Sequence, residues 1–173
     1  MIGGAKVARS ATAWALALGV VAAISACGSG DDNSVDGDDV TPAGAYSAII
    51  QWEVEQQEPV VGDDGNVELP VIFVASAGGG TIDIGVQAAV VEAMVDTATI
   101  RFADDPDDAV DPDGPGEPVR QDGVMFVVAD IPPPAPSIDV TAVRYATVDD
   151  APTWEFVVEA GASGAAVASA TTS

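Results

Sequence analysis

Residues 104–122 carry the densest set of groups that could do chemistry, with seven Asp and one Glu in 19 residues. Many carboxylate oxygens close together are what Ca²⁺ selects. Counted from Asp111, the spacing of a calcium-binding loop gives four candidate ligands: Asp111, Asp113, Glu117 and Asp122. Pro115 takes the place of one ligand, and the flanking residues predict strands rather than two helices. We therefore predict no specific metal site, with this loop as a weak candidate and diffuse binding of divalent cations as the alternative.

The chain contains no histidine. This removes the commonest general base near neutral pH and the commonest metal ligand. Ser-His-Asp and Cys-His catalysis are therefore excluded. Paired carboxylates could serve a hydrolase, but among 28 acids such pairs arise by chance, and no aromatic cluster accompanies them. We predict no catalytic residue, no cofactor and no enzyme, and a histidine-free hydrolase is the weakest alternative.

Three further features have a structural interpretation. The glycines at 78–80 do not make a nucleotide-binding loop, because Asp83 stands where a glycine is needed and no Lys follows. Arg101 and Arg120 are expected to form ion pairs with neighbouring acids. The side chains of Trp52 and Trp154 are expected in the core.

The only cysteine, Cys27, lies where an apolar segment meets an acidic one. Lys6 and Arg9 carry the positive charges of the first ten residues, and residues 10–30 are uncharged. A basic start, an apolar run and small residues in this order are typical of an export signal.

The sequence ISAC at 24–27 resembles the lipobox of bacterial lipoproteins, in which an aliphatic residue and two small residues precede a cysteine. The resemblance covers residues 1–27, and Ile24 stands where Leu is most frequent. It implies that the Cys27 thiol receives a diacylglycerol, that residues 1–26 are removed by cleavage between Ala26 and Cys27, and that the new amino group is often acylated. Two or three acyl chains anchor a protein stably, whereas one does not.

Two alternatives remain for this segment. The uncharged stretch of 21 residues is long enough to span a bilayer without being cleaved, or it is an ordinary signal peptide and Cys27 is incidental. All three interpretations place the following residues outside the cytoplasm. The preferred location is the cell membrane, with the lipid on Cys27 as the anchor. In a cell with two membranes, Gly28 implies the outer membrane by resemblance to the lipoprotein sorting rule.

Residues 27–41 are rich in Gly, Ser and Asp and predict an acidic flexible tether. After cleavage, three basic residues (Arg101, Arg120 and Arg144) would face 28 acids, a net charge of −25 over 147 residues. Such a field repels nucleic acid and anionic lipid, so neither is an expected partner.

Residues 42–170 predict one globular domain. Thr41 and Pro42 begin a helix over 42–57, with a strand over 48–54 as the alternative. Asp83 can cap a second helix over 84–96. Apolar or alternating runs predict the strands: 69–77, 98–104, 123–131, 138–148, 153–160 and an edge strand at 164–170.

Helices come first in this order and consecutive strands come last. The pattern predicts an α+β fold with two N-terminal helices packed on a mainly antiparallel sheet. An all-β sandwich is the alternative if both helices are strands. We expect a lipid-anchored extracytoplasmic protein with a non-catalytic domain that binds another envelope component, and an acidic cation-binding surface protein is the alternative.

Overall fold

The computed structural model describes residues 39–61 and 65–173. The predictions for the signal peptide, Cys27 and most of the tether lie outside the described residues. The described residues form two α-helices, a six-stranded sheet and a two-stranded sheet. This is an architecture of α+β or mainly β class.

The first helix, α1 (Pro42–Gln56), has the capping chemistry expected from its sequence. The Thr41 hydroxyl accepts a hydrogen bond from the Gly44 amide at 3.1 Å, which satisfies one of the amides that a helix start leaves unpaired. The helix prediction is confirmed, and the strand alternative for 48–54 is wrong. The all-β sandwich required both helical segments to be strands, so it does not describe this fold.

The second helix, α2 (Ile84–Met94), is capped by Asp83. The carboxylate accepts hydrogen bonds from the amides of Gly85 and Val86 at 2.8 and 3.2 Å. Val90 and Met94 are buried on one side of the helix. The other side exposes three aliphatic residues in a line: Ile84, Val91 and Val95.

One half of the large sheet is parallel, which the sequence analysis did not predict. Strand β3 (Val71–Ser76) lies between β4 (Thr99–Ala103) and β5 (Val124–Val128) and is parallel to both. Parallel neighbours need a long crossover. Helix α2 supplies the one from β3 to β4, and residues 104–123 supply the one from β4 to β5.

The other half of the sheet is antiparallel. Strands β6 (Ser137–Tyr145), β7 (Thr153–Gly161) and β8 (Gly164–Thr172) follow β5 as antiparallel neighbours. The order across the sheet is β4-β3-β5-β6-β7-β8. The sheet is therefore mixed, and the prediction of a mainly antiparallel sheet describes only β5 to β8. The predicted last edge strand is confirmed and pairs with β7.

A small hairpin lies between α1 and β3. Strands β1 (Val60–Val61) and β2 (Val67–Glu68) pair antiparallel, with Val60 opposite Glu68 and Val61 opposite Val67. Two-residue strands are too short to show an alternating pattern in the sequence, so the hairpin was not predicted.

The largest cluster of buried side chains draws on both helices, on four strands of the large sheet (β3, β5, β6 and β7) and on residues that flank these elements. Its large fully buried members include Ile49, Ile72, Phe126 and Phe156. A smaller cluster contains Phe73 and Met125 from strands and Ala109 and Val119 from the acidic segment between β4 and β5.

Candidate functional site

The described residues form a cleft of about 440 Å³. We call it the hairpin cleft, because strands β1 and β2 form one of its walls. The end of α1 lines it through Val54 and Gln57, and the starts of β3 and β5 line it through Val71 and Val124. The volume lies in the range of small-ligand sites.

The hairpin exposes aliphatic side chains around this cleft. Val60, Val61, Val67 and Leu69 are 61%, 62%, 63% and 42% exposed, and all but Val61 line the cleft. Single exposed aliphatic residues are common on protein surfaces, but a contiguous group marks a place where another molecule can cover it. These residues therefore form the apolar part of the candidate site.

Three exposed carboxylates accompany the apolar residues. Glu58, Glu68 and Asp122 all line the cleft. Among the described residues that line the cleft, Arg144 is the one cation. Its guanidinium group is already engaged, since it forms ion pairs with Glu53 at 2.9 Å and with Asp150 at 3.1 Å. The cleft therefore presents net negative charge to solvent.

Arg144 lines the cleft, and its ion-pair partner Glu53 lies buried behind it. Glu53 is 1% exposed, and its Oε1 also accepts a hydrogen bond from Gln57 Nε2 at 2.9 Å. The hydrogen bond with Glu53 is the largest influence on Arg144, and it raises the pKa of the guanidinium group, against the lowering effect of burial. Arg144 is therefore a fixed positive charge that neutralises Glu53.

This pair was not predicted, although the sequence carries a signal for it. Glu53 follows Ile49 and Ile50 at helical spacing, which places it on the buried face of α1. Arg144 continues the inward-facing alternation of Val140 and Ala142 in β6. A charged residue at a core position on each of two elements is the pattern that could have predicted the pair.

The turn before β5, which also lines the cleft, has unusual backbone geometry. Gln121 and Asp122 are consecutive non-glycine residues with positive φ, 61° and 52°. The next residue is Gly123, where a Cβ atom would lie 2.7 Å from the Val71 carbonyl oxygen. Left-handed backbone is unfavourable for residues with a side chain, so this segment is held in place by its surroundings.

The four acids of the weak metal candidate are not brought together. Asp122 lines the hairpin cleft, whereas Glu117 lines a second cavity of about 340 Å³. Asp111 Oδ1 accepts a hydrogen bond from the Asp113 amide at 3.2 Å, which is local turn chemistry. Within the described residues no group of three carboxylates could hold a metal ion.

The second cavity lies between the acidic segment and the sheet. Tyr145 lines it and donates a hydrogen bond from its hydroxyl to the Glu117 carbonyl oxygen at 2.8 Å. Loss of solvation is the largest influence on Tyr145 and raises the pKa of its phenol, and the charge of Glu117 adds to this. The contact attaches the acidic segment to β6.

The arginines and tryptophans considered in the sequence analysis have the following surroundings. Arg120 Nε donates to the Asp108 carbonyl oxygen at 3.1 Å. Within the described residues neither Arg120 nor Arg101 forms an ion pair, so the expected pairing with neighbouring acids is not seen.

Trp52 and Trp154 pack against the main cluster, with their ring centroids 4.8 Å apart. Cys27 and Ala26 lie outside the described residues.

Neither helix in the described part of the chain has the length and apolarity needed to cross a bilayer. Comparison with known proteins finds no matching family model, no matching curated protein and no matching solved structure.

Proposed function

We propose that this chain is a lipid-anchored extracytoplasmic protein whose domain binds another component of the cell envelope. The lipobox-like residues 24–27 support the anchor. The hairpin cleft supports the binding role, because an open cleft with exposed aliphatic residues has the composition of a binding site. The cleft is the observation on which the function depends.

We further propose that the domain is not an enzyme. The absence of histidine from the chain supports this, since a general base that works near neutral pH would have to be a strongly perturbed group of another type. The lining of the cleft offers apolar contact and negative charge, which serve binding.

The finer description of the fold belongs to the same proposal. We propose that α1 and α2 pack on one face of the large sheet, so that the cleft forms where α1 ends beside the strands. Side chains of both helices in the main buried cluster support this arrangement. The ring contact between Trp52 of α1 and Phe156 of β7, with centroids 5.2 Å apart, also supports it.

The anchor is tested by the intact mass of the membrane-extracted protein, compared with a Cys27→Ala variant. We expect a species that begins at Cys27 and carries a diacylglycerol, and we expect the variant to lack this species. An unmodified chain that keeps residues 1–26 would overturn the lipid anchor and indicate a membrane-spanning segment.

The binding role is tested by photo-crosslinking in the native envelope. A photoreactive amino acid replaces Val67 in the hairpin, and the matched control replaces Glu159, which is exposed on β7. We expect one discrete crosslinked species at position 67 and none at position 159. Equal crosslinking at both positions would count against the cleft as the binding site.

A further inference from the structure

We infer that the hairpin cleft binds a basic, aliphatic peptide segment of a partner protein. This inference rests on the proposed binding function and adds the chemical class of the ligand. In this arrangement aliphatic side chains of the peptide cover the hairpin, and its Lys or Arg side chains meet the carboxylates of Glu58, Glu68 and Asp122.

The composition of the cleft favours a ligand that is both aliphatic and basic. Exposed aliphatic residues and exposed carboxylates lie side by side in the hairpin, where Val60 is the direct cross-strand partner of Glu68. A ligand that satisfies both needs apolar groups and positive charge at short spacing. Aliphatic and basic residues two positions apart in an extended peptide provide that spacing, because such residues lie on the same face of a strand.

Among the described residues that line the cleft, no positive charge is free to bind an anion. Arg144 donates from Nε and Nη2 to Glu53 at 2.9 and 3.0 Å and from Nη1 to Asp150 at 3.1 Å. An anionic ligand would have to displace these charge-assisted bonds, which are among the strongest hydrogen bonds in proteins. It would also approach against the net charge of −23 of the whole chain.

A second copy of this chain and a bare metal ion fit the cleft less well than a basic peptide. A second copy of this chain has the same acidic cleft and the same negative charge, so two such surfaces repel each other. A bare metal ion would need converging ligands, and within the described residues no three carboxylates are placed to supply them. Charge complementarity therefore favours a basic partner.

The test measures peptide binding by fluorescence anisotropy with the full chain in non-ionic detergent. The labelled probe repeats Leu-Thr-Lys-Thr, which places Leu and Lys on the same face of an extended peptide. One comparison peptide has Glu in place of Lys, and another has Ser in place of Leu. We expect saturable binding of the Leu–Lys probe, no binding of the Glu peptide, and at least tenfold weaker binding of the Ser peptide.

Two pairs of matched variants distinguish binding in the cleft from attraction of a basic peptide to the acidic surface as a whole. Glu58→Gln with Glu68→Gln removes cleft charge, and Glu155→Gln with Glu159→Gln removes the same charge from the exposed side of β7. Val60→Thr with Val67→Thr reduces the apolar surface of the hairpin. The control for this change is Val91→Thr with Val95→Thr on the exposed side of α2.

We expect each cleft variant to weaken binding of the Leu–Lys probe about tenfold and each control variant to change it less than twofold. Equal losses in cleft and control variants would show attraction to the acidic surface as a whole and would overturn the inference. If the hairpin variants fail to fold by circular dichroism, the exposed Glu-to-Gln variants decide the question. Crosslinking at position 67 without binding of the basic probe would refute a basic peptide as the ligand. The proposed binding function of the cleft would then still be supported.

Discussion

Glu53 of α1 and Arg144 of β6 form a two-pronged ion pair, although 91 residues separate them in the chain. The two hydrogen bonds are 2.9 and 3.0 Å long, and the side chains are 2% and 22% exposed. The pair joins the helix to the sheet at the wall of the hairpin cleft. It thereby connects the stability of the domain with the shape of its candidate binding site.

Glu53→Gln should destabilise the domain, because it leaves the guanidinium group of Arg144 partly buried without its main counter-charge. Removing one partner of a buried pair costs roughly 3–5 kcal/mol. Asp150 remains bonded to Arg144, so we expect about 2–4 kcal/mol here. Urea unfolding followed by circular dichroism measures the loss. The control is Glu55→Gln on the exposed side of the same helix, and an equal effect of both changes would contradict the importance of the pair.

Gly123→Ala should also destabilise the domain, for a steric reason. The added Cβ would lie 2.7 Å from the Val71 carbonyl oxygen and 3.2 Å from that of Arg120, so the backbone of β3 or of the adjoining turn must shift. Forcing extra atoms into a packed site costs about 1–3 kcal/mol. Gly78→Ala is the matched control, since its nearest neighbour would be at 3.5 Å. Equal thermal stability of the two variants would disprove the close approach.

Gln121→Gly should stabilise the domain, because residue 121 has a φ of 61° that glycine adopts without a steric penalty. The relief exceeds the greater backbone entropy of glycine in the unfolded chain, and we expect a gain of about 0.5–1 kcal/mol. Gln121→Ala distinguishes the effect of backbone strain from that of losing the Gln121 side chain, because alanine has a Cβ atom and keeps the strain. A gain from alanine as large as that from glycine, measured by denaturant midpoint, would argue against backbone strain at this position.

Deprotonation of Tyr46 should lower the free energy of unfolding of the domain at alkaline pH. Burial raises the pKa of its phenol above the ordinary 10.0, and the charge of Asp130 raises it further. In the unfolded chain the proton leaves at the ordinary pKa, so the folded state binds more protons between the two values. Stability is therefore complete below about pH 10 and falls as pH rises through the raised pKa.

Tyr46→Phe should remove most of this loss, and the slope of unfolding free energy against pH above 10 measures it. The chain has two tyrosines, and Tyr145→Phe is the control. Its side chain is less buried than that of Tyr46, so its substitution should change the slope less. If the Tyr46→Phe variant keeps the slope of the wild type, burial of Tyr46 does not cause the alkaline loss.

The elements with local signals were predictable from the sequence. Thr41 and Asp83 mark the starts of both helices, because a side-chain oxygen at that position bonds amides a few residues on. Strands β5 to β8 were predictable because apolar or alternating runs that follow one another in the chain tend to pair as antiparallel neighbours.

The candidate site was not predictable in the same way. Its cleft combines residues from α1, the hairpin, β3, β5 and the turn before β5, and no local pattern connects these segments. The weak metal candidate among residues 104–122 shows the same dependence on the fold. Its acids lie close in the sequence, but the fold places Asp122 and Glu117 in different cavities.

The sequence by itself determined the helix starts, the four-strand antiparallel run and the strongly acidic charge, because these depend on neighbouring residues or on composition alone. Only the tertiary structure decided the parallel half of the sheet, the Glu53–Arg144 pair and the hairpin cleft. Each of these depends on contacts between segments distant in the chain. Such contacts are selected by the joint packing of all the elements, and the energy of no single segment contains them.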